Sequence, residues 1–416
     1  MRVGGILGCL MLLAVLAAAC GGGEEGSAAD EITPTTSAPE TAISQGPSPT
    51  PSRAPLPGES CEKVEAGAFS PGVYIIDPER CEVAHVTDGR SDGNPAWSPD
   101  SKQFAFVRLE TPSVEGDAEL LVVNSDGSGL RQLTETEGER ESAPAWSPDG
   151  STIAFATLSL GQIASTPEEG LNEEEWTYDL KVLEVDNPQN VRTLVTDLGC
   201  FGYTWSPDSQ RLAVVSSCRQ RGLFIVDVAN GELRQLADDA VPSFTHEWSP
   251  DGTRITYRCR EPGAAEYQRD VCVISRDGGS HVVLARERYF DPGPGGSSEL
   301  RVAAGASPSW TPDGRHVAFA GTGGELYFVD PEDGRLDRVV DGWRGEFKIT
   351  WLSEGVASAH ICTGDVVPCS WETIVVDLFT SEWRSLLRES CSFSSRWSPD
   401  GTLLSFVVGE YGVACL

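Results

Sequence analysis

Lysine is nearly missing from this 416-residue chain. Lys63, Lys102, Lys181 and Lys348 are the four present, within 31 basic residues set against 63 acidic ones. A formal charge of −32 leaves no cluster of Lys and Arg to hold phosphates, which excludes nucleic acid as a partner. The same shortage excludes a polybasic grip on an anionic lipid surface, so any membrane attachment must come from elsewhere. Histidine is scarce as well, with His85, His246, His281, His316 and His360 making up the whole set. No G-x-S-x-G elbow, H-E-x-x-H pair or Walker loop occurs, and no paired C-x-x-C that would mark a zinc cluster. These absences predict no catalytic residues, no metal site and no cofactor.

The N-terminus carries an address. Residues 1–20 read MRVGGILGCLMLLAVLAAAC, a basic Arg2, an apolar run from Ile6 to Leu16 and small residues up to Cys20. The run is too short to span a bilayer and reads as an export signal. Its ending resembles the bacterial lipoprotein box, with the leucine, Leu16, one place further out than usual. Residues 1–19 are therefore expected to be a lipoprotein signal peptide and Cys20 the lipidated residue. Residues 20–58, rich in Pro, Ser, Thr and Gly, hold almost no large apolar side chain and predict a disordered tether. The expected location is outside the cell, anchored to the outer face of the cell membrane, or periplasmic if there are two membranes.

From residue 59 to 416 one unit recurs: PAWSPDSKQFAFV at 95, PAWSPDGSTIAFA at 144, YTWSPDSQRLAVV at 203, HEWSPDGTRITYR at 246, PSWTPDGRHVAFA at 308, SRWSPDGTLLSFV at 395, and a worn ITWLSEGVASA at 349. Trp97, Trp146, Trp205, Trp248, Trp310, Trp351 and Trp397 mark it at intervals of 41 to 62 residues. A period just above 40 predicts a four-stranded blade A-B-C-D, and the alternating apolar segments after each turn supply its strands. In the turn itself Pro presets φ, Asp accepts local backbone hydrogen bonds and Gly permits positive φ, so the motif reads as structural.

These repeats resemble the TolB-type, WD40-like (PD40) propeller repeat over nearly everything after the tether. The resemblance implies a β-propeller of the cell envelope used mainly for protein contacts. The separate N-terminal α/β domain of that family's best-known member has no counterpart here, since the tether runs almost directly into strands. The expectation is an all-β, seven-bladed propeller of four-stranded antiparallel blades. Its last blade would be closed by N-terminal strands, because GVYIID at 72 and EVAHVTDG at 82 match strands C and D with no A or B before them.

Setting aside Cys9 and Cys20 leaves ten cysteines, an even number that implies disulfides in an exported protein. Cys200 and Cys218 flank one turn symmetrically. Cys259 and Cys362 each fall eleven residues after their tryptophan, with Cys272 and Cys369 across a B–C loop. Three bonds are expected: Cys200–Cys218, Cys259–Cys272 and Cys362–Cys369. Cys61, Cys81, Cys391 and Cys415 leave three connectivities open.

In such a meander the B–C and D–A connections emerge at one end and the A–B and C–D turns at the other. The long connections, about 158–177 and 287–306, both belong to the first end, and long loops on a rigid scaffold are where recognition concentrates. Glu168, Glu169, Glu173, Glu174 and Glu175 with Trp176 and Tyr178 form an acidic stretch with two aromatic anchors, and Tyr289 and Phe290 stand in the second insert. These residues are the candidate partner-binding face. The expected function is a protein-binding or scaffold module, not an enzyme, and the expected state is a monomer. Its partner would be an envelope protein or a cationic envelope component. The alternative is a propeller lyase or glycan-processing enzyme with its site in the central channel, where His246 and Glu247 are the residues to examine.

Overall fold

The structure is a computed structural model. It describes residues 64–408 other than 66–68, 90, 110–116, 160–177, 200, 217–220, 242–245, 261–268, 287–306, 323, 344–348, 354, 364–369 and 390–394. Every regular element among the described residues is a β-strand, and none of these residues forms a helix long and apolar enough to cross a membrane.

Four sheets have four antiparallel strands in sequence order. One runs Phe201–Trp205, Arg211–Ser216, Gly222–Asp227, Leu233–Ala237; the next Glu247–Trp248, Arg254–Cys259, Asp270–Ser275, Val282–Ala285. A third runs Ser309–Trp310, Val317–Ala320, Glu325–Val329, Leu336–Asp341. The fourth joins the two ends of the chain: Arg396–Trp397 and Leu404–Val408 are continued by Gly72–Asp77 and Glu82–His85. A fifth sheet, Thr350–Ser353 to Trp383–Glu389, has the two-residue strand Val64–Glu65 added parallel at its outer edge.

The seven-bladed expectation is corrected here, because five blades stand as sheets of their own. The first two sequence repeats share a single eight-stranded sheet spanning Asp92–Trp97 to Asn187–Leu198. The reason lies in one short strand. The outer strand of the first repeat is only Arg131–Gln132. Beyond it the Thr134 hydroxyl accepts the Leu120 N–H (2.9 Å), as the Thr87 hydroxyl accepts the Val73 N–H (3.1 Å) in a sheet that stays separate behind a longer outer strand, Glu82–His85. At Ala118, past the end of this outer strand, Arg140 of the next repeat bridges in parallel.

The tryptophans tie neighbouring repeats together. The indole N–H of Trp146 donates to Ala96 O (3.0 Å), Trp205 to Ala145 O (3.0 Å), Trp248 to Thr204 O (3.2 Å) and Trp310 to Glu247 O (3.3 Å). Trp351 reaches the Ser309 hydroxyl (3.0 Å), and Trp97 reaches Arg396 O (3.1 Å), joining the first repeat to the last. The exception is Trp397, whose buried indole nitrogen has no hydrogen-bond partner. Its neighbour is the worn repeat, in which Leu352-Ser353-Glu354 replaces the Ser-Pro-Asp turn.

That turn is a closed hydrogen-bond unit. The hydroxyls of Ser98, Ser147, Ser206, Ser249, Thr311 and Ser398 donate to the carboxylates of Asp100, Asp149, Asp208, Asp251, Asp313 and Asp400 at 2.5–2.7 Å. The residue after the Asp has positive φ: Gly150, Gly252, Gly314 and Gly401 in four turns, Ser101 and Ser209 in the others. The two serines carry a backbone strain that glycine avoids. Their hydroxyls in turn accept the backbone N–H of Asp400 and Asp149 from neighbouring turns.

All six carboxyls are held below their ordinary value. For Asp100, Asp149 and Asp251 the Ser hydroxyl is the leading cause. For Asp208, Asp313 and Asp400 partial burial works the other way and is outweighed by hydroxyl and backbone donors. A depressed folded value means stability that is present above the unfolded value and lost as pH falls through the folded one. Unfolding midpoints are expected to drop below about pH 4 in steps smaller than six full ion pairs would give, because these groups face water. A variant carrying Asn at Asp149, Asp251 and Asp400 should show a shallower acid limb in urea titrations; an unchanged limb would refute the role given to these turns.

Candidate binding end of the ring

Strand interiors are apolar, but the B–C and D–A end of the ring is rich in charge. Charged residues stand toward the ends of B and D strands, as Arg108 and Arg388 do, and in the first half of A and C strands, as Asp92, Glu119, Glu139, Glu141 and Glu372 do. Asp92, with a side chain fully removed from water, takes two hydrogen bonds from Arg108, Nε to Oδ1 at 2.6 Å and Nη2 to Oδ2 at 2.7 Å. These bonds hold the guanidinium above its ordinary value. Glu372 pairs with Arg388 at 3.2 Å, and Lys181 is ion-paired with Glu139.

Glu119 and Glu141 lie where the two repeats fuse. Glu119 accepts the Thr134 hydroxyl (2.6 Å) and the Thr136 N–H (3.0 Å). Glu141 is 2% exposed, and its Oε2 has no hydrogen-bond partner. Burial first, then the charge of Glu119, raises the Glu141 carboxyl to about 8. Both causes favour its protonated form.

The two residues singled out for the channel do not converge. His246 is buried, its Nε2 3.0 Å from Ala213 O of the preceding sheet. Glu247 turns to the opposite side, where Oε2 accepts the Trp310 N–H at 3.1 Å. A regular strand puts successive side chains on opposite faces, which separates an acid and a base placed at adjacent positions. His360 lies in a different sheet. Its Nε2 is 2.7 Å from the Ser395 hydroxyl, which also meets the Thr373 hydroxyl at 2.8 Å. Burial and the nearby Arg396 push its value down to about 3, so the ring is neutral.

Of the candidate partner-binding residues, Tyr178 is described: half-buried, it opens strand Tyr178–Glu184 opposite Leu158 and Leu198. Glu168, Glu169, Glu173, Glu174, Glu175, Trp176, Tyr289 and Phe290 lie outside the described residues, as does Cys20. Cys259 and Cys272 are joined across adjacent strands, Cα to Cα 5.9 Å. Cys81 is also disulfide-bonded. Cys362 belongs to strand Val356–Thr363, but its pairing with Cys369 lies outside the described residues, as do Cys200, Cys218, Cys61, Cys391 and Cys415.

Sequence reasoning passed over Glu119, Glu141, Asp239 and His281. The first two sit in ordinary alternating strands, and nothing in their spacing shows that Ala118 and Arg140 become neighbours. Asp239 comes from the repeat before the one that holds His281.

No protein-family model matches the sequence, and no curated protein matches it. Solved structures do. TolB from Acinetobacter baumannii is 20% identical with a TM-score of 0.40, over 63% of this chain and 57% of that one, so the match spans less than two thirds of its length. A putative TolB from Agrobacterium tumefaciens is 16% identical, TM-score 0.44, over 81% and 97%. An oligogalacturonate lyase from Vibrio parahaemolyticus is 14% identical, TM-score 0.54, over 82% and 98%. Likeness at this level is one of fold. The likeness to the lyase, at a TM-score of 0.54, joins the four-stranded antiparallel meanders in identifying the fold of the chain as a β-propeller.

Proposed function

We propose that this protein is an exported, membrane-anchored lipoprotein whose propeller serves as a protein-binding or scaffold module in the bacterial cell envelope. Cys20 carries the lipid, and residues 20–58 form the tether. The observation that carries the reading is an asymmetry between the two ends of the ring. One end is closed by hydrogen-bonded Ser/Thr-Pro-Asp turns of nearly invariant geometry. At the other end the chain leaves strand Thr152–Ser159 and returns at Tyr178, and leaves Val282–Ala285 and returns at Ser309. Rigid scaffolds place variable recognition segments in this way.

Among the described residues the histidines sit in separate surroundings: His85 stacked on Tyr74, His246 between sheets, His281 beside Asp239, His316 beside Asp337, His360 on Ser395. The charge of −32 favours a partner surface with cationic character.

In-cell cross-linking of the lipidated protein, followed by affinity capture and mass spectrometry, is expected to recover a partner. A variant lacking residues 162–175 is expected to lose it while keeping the same thermal midpoint. Equal recovery with both proteins, or none with either, would remove the assignment.

A further inference from the structure

The Cys259–Cys272 bond lies in a set of donors larger than a disulfide needs. Cys259 ends strand Arg254–Cys259, Cys272 is in Asp270–Ser275, and the register pairs Cys272 with Tyr257, which puts both sulfurs and the Tyr257 ring on one face. His281 immediately precedes the outer strand Val282–Ala285. One of its ring nitrogens and the two sulfurs all lie within 4.8 Å of one another. Asp239 arrives from the preceding repeat, held over Cys259 by the bridge from Ala240 and by Arg260 N–H donating to Asp239 O (2.9 Å). Its Oδ1 accepts the Tyr257 hydroxyl (3.1 Å). Its Oδ2 is buried, accepts no hydrogen bond and stands 3.4 Å from His281 Nδ1.

We infer that reducing this disulfide creates a site for a thiophilic divalent cation of the zinc type, held by Cys259, Cys272, His281 and Asp239. The balance is simple. A dithiol reductant delivers two electrons and two protons, the S–S bond breaks to two thiols, and the reductant closes to its own disulfide. The cation then displaces both thiol protons and binds two thiolates, an imidazole and a carboxylate.

Four such ligands are the usual complement of tetrahedral zinc, and bonds of 2.0–2.3 Å place donor atoms about 3.3–3.8 Å apart. A His281 nitrogen already lies within 4.8 Å of both sulfurs, and on reduction the sulfurs separate from bonding distance toward this spacing. Both sulfurs are buried, whereas the His281 side chain is 30% exposed and provides the route of entry. The Tyr257 hydroxyl donates to Asp239 Oδ1 and leaves Oδ2 turned toward His281, the hydrogen-bonded support that ligating carboxylates generally have.

The test is a Co²⁺ titration of the mature protein reduced with a phosphine, which adds no thiol. A thiolate-to-cobalt charge-transfer band is expected in the reduced protein, absent from the oxidised one and erased by Zn²⁺. The double substitution C259S/C272S should abolish the band although every other cysteine remains. His281→Ala, which keeps the disulfide during folding, should weaken Co²⁺ binding on the order of tenfold or more. Should reduction alone unfold the chain, Zn²⁺ present throughout is expected to preserve the far-ultraviolet circular dichroism of the wild type but not of His281→Ala. A band that survives C259S/C272S, wild-type affinity in His281→Ala, no band in a folded reduced protein, or no protection by Zn²⁺ would each overturn the inference.

Discussion

Replacing Asp92 by Ala is expected to lower the free energy of unfolding by about 3–5 kcal/mol, because it strands the Arg108 guanidinium in a site built around a carboxylate. Asp92 has no water contact and holds three donors: Arg108 Nε, Arg108 Nη2 and the Gly89 N–H at 3.2 Å. Arg108 is 30% exposed at its side chain, so part of its charge can be rehydrated, which places the expected loss toward the lower figure. The pair links the first strand of its repeat to the second, Asp92 being directly opposite Arg108 in the register. The double variant Asp92→Ala, Arg108→Ala should lose less than the sum of the single changes, the mark of a direct interaction. Urea unfolding with fitted slopes measures all three. A loss under about 1 kcal/mol in Asp92→Ala would mean that water replaces the carboxylate freely.

Glu141→Gln is expected to act in the opposite direction and to depend on pH. The folded value of Glu141 is about 8, against an ordinary 4.5. Between those two values the folded state binds more protons at this site than the unfolded state, so stability declines as pH rises and levels off above the folded value. Over the whole interval the decline is on the order of 3–5 kcal/mol, at 1.36 kcal/mol for each pKa unit. A neutral glutamine keeps the shape and cannot ionise, so the variant should lack this slope and be the more stable protein at pH 9. At pH 5, where Glu141 is already neutral, the two should differ little. Chemical denaturation at both pH values decides it, and parallel pH curves for variant and wild type would show that Glu141 carries no such penalty. The site also explains why the charge matters here: Glu119, already committed to Thr134 and Thr136, offers Glu141 repulsion instead of a bond.

Much of the architecture is legible in the residues. Tryptophan followed by Ser/Thr-Pro-Asp recurs because each repeat needs the same two local devices: an indole that reaches the preceding repeat and a turn that satisfies its own backbone. Both depend on contacts between residues close in sequence or displaced by one repeat, and a repeated pattern records them. Strand alternation likewise shows which side chains face a neighbouring blade, as Leu212 and Val214 do against Leu180 and Val182. His246 and Glu247 follow the same alternation, and it separates them.

The division into sheets was decided elsewhere. Whether two repeats remain separate depends on where a single edge strand stops. The outer strand of the first repeat stops after Arg131–Gln132, and the Ala118–Arg140 bridge forms beyond it, a contact between repeats that periodicity does not register. The setting of Glu141 follows from that fusion, because its neighbour Glu119 belongs to the other repeat. The company of the Cys259–Cys272 bond has a different origin: residues 239–241, between two sheets in sequence, pair their backbone with Arg258 to Arg260 and so bring Asp239 to His281. The sequence by itself determined the repeat, its turns and the strand order within each repeat, which rest on short-range geometry. Only the tertiary structure decided the five separate blades and the eight-stranded sheet, the raised carboxyl and the donor cluster, because each depends on the distance between groups that the chain alone leaves independent.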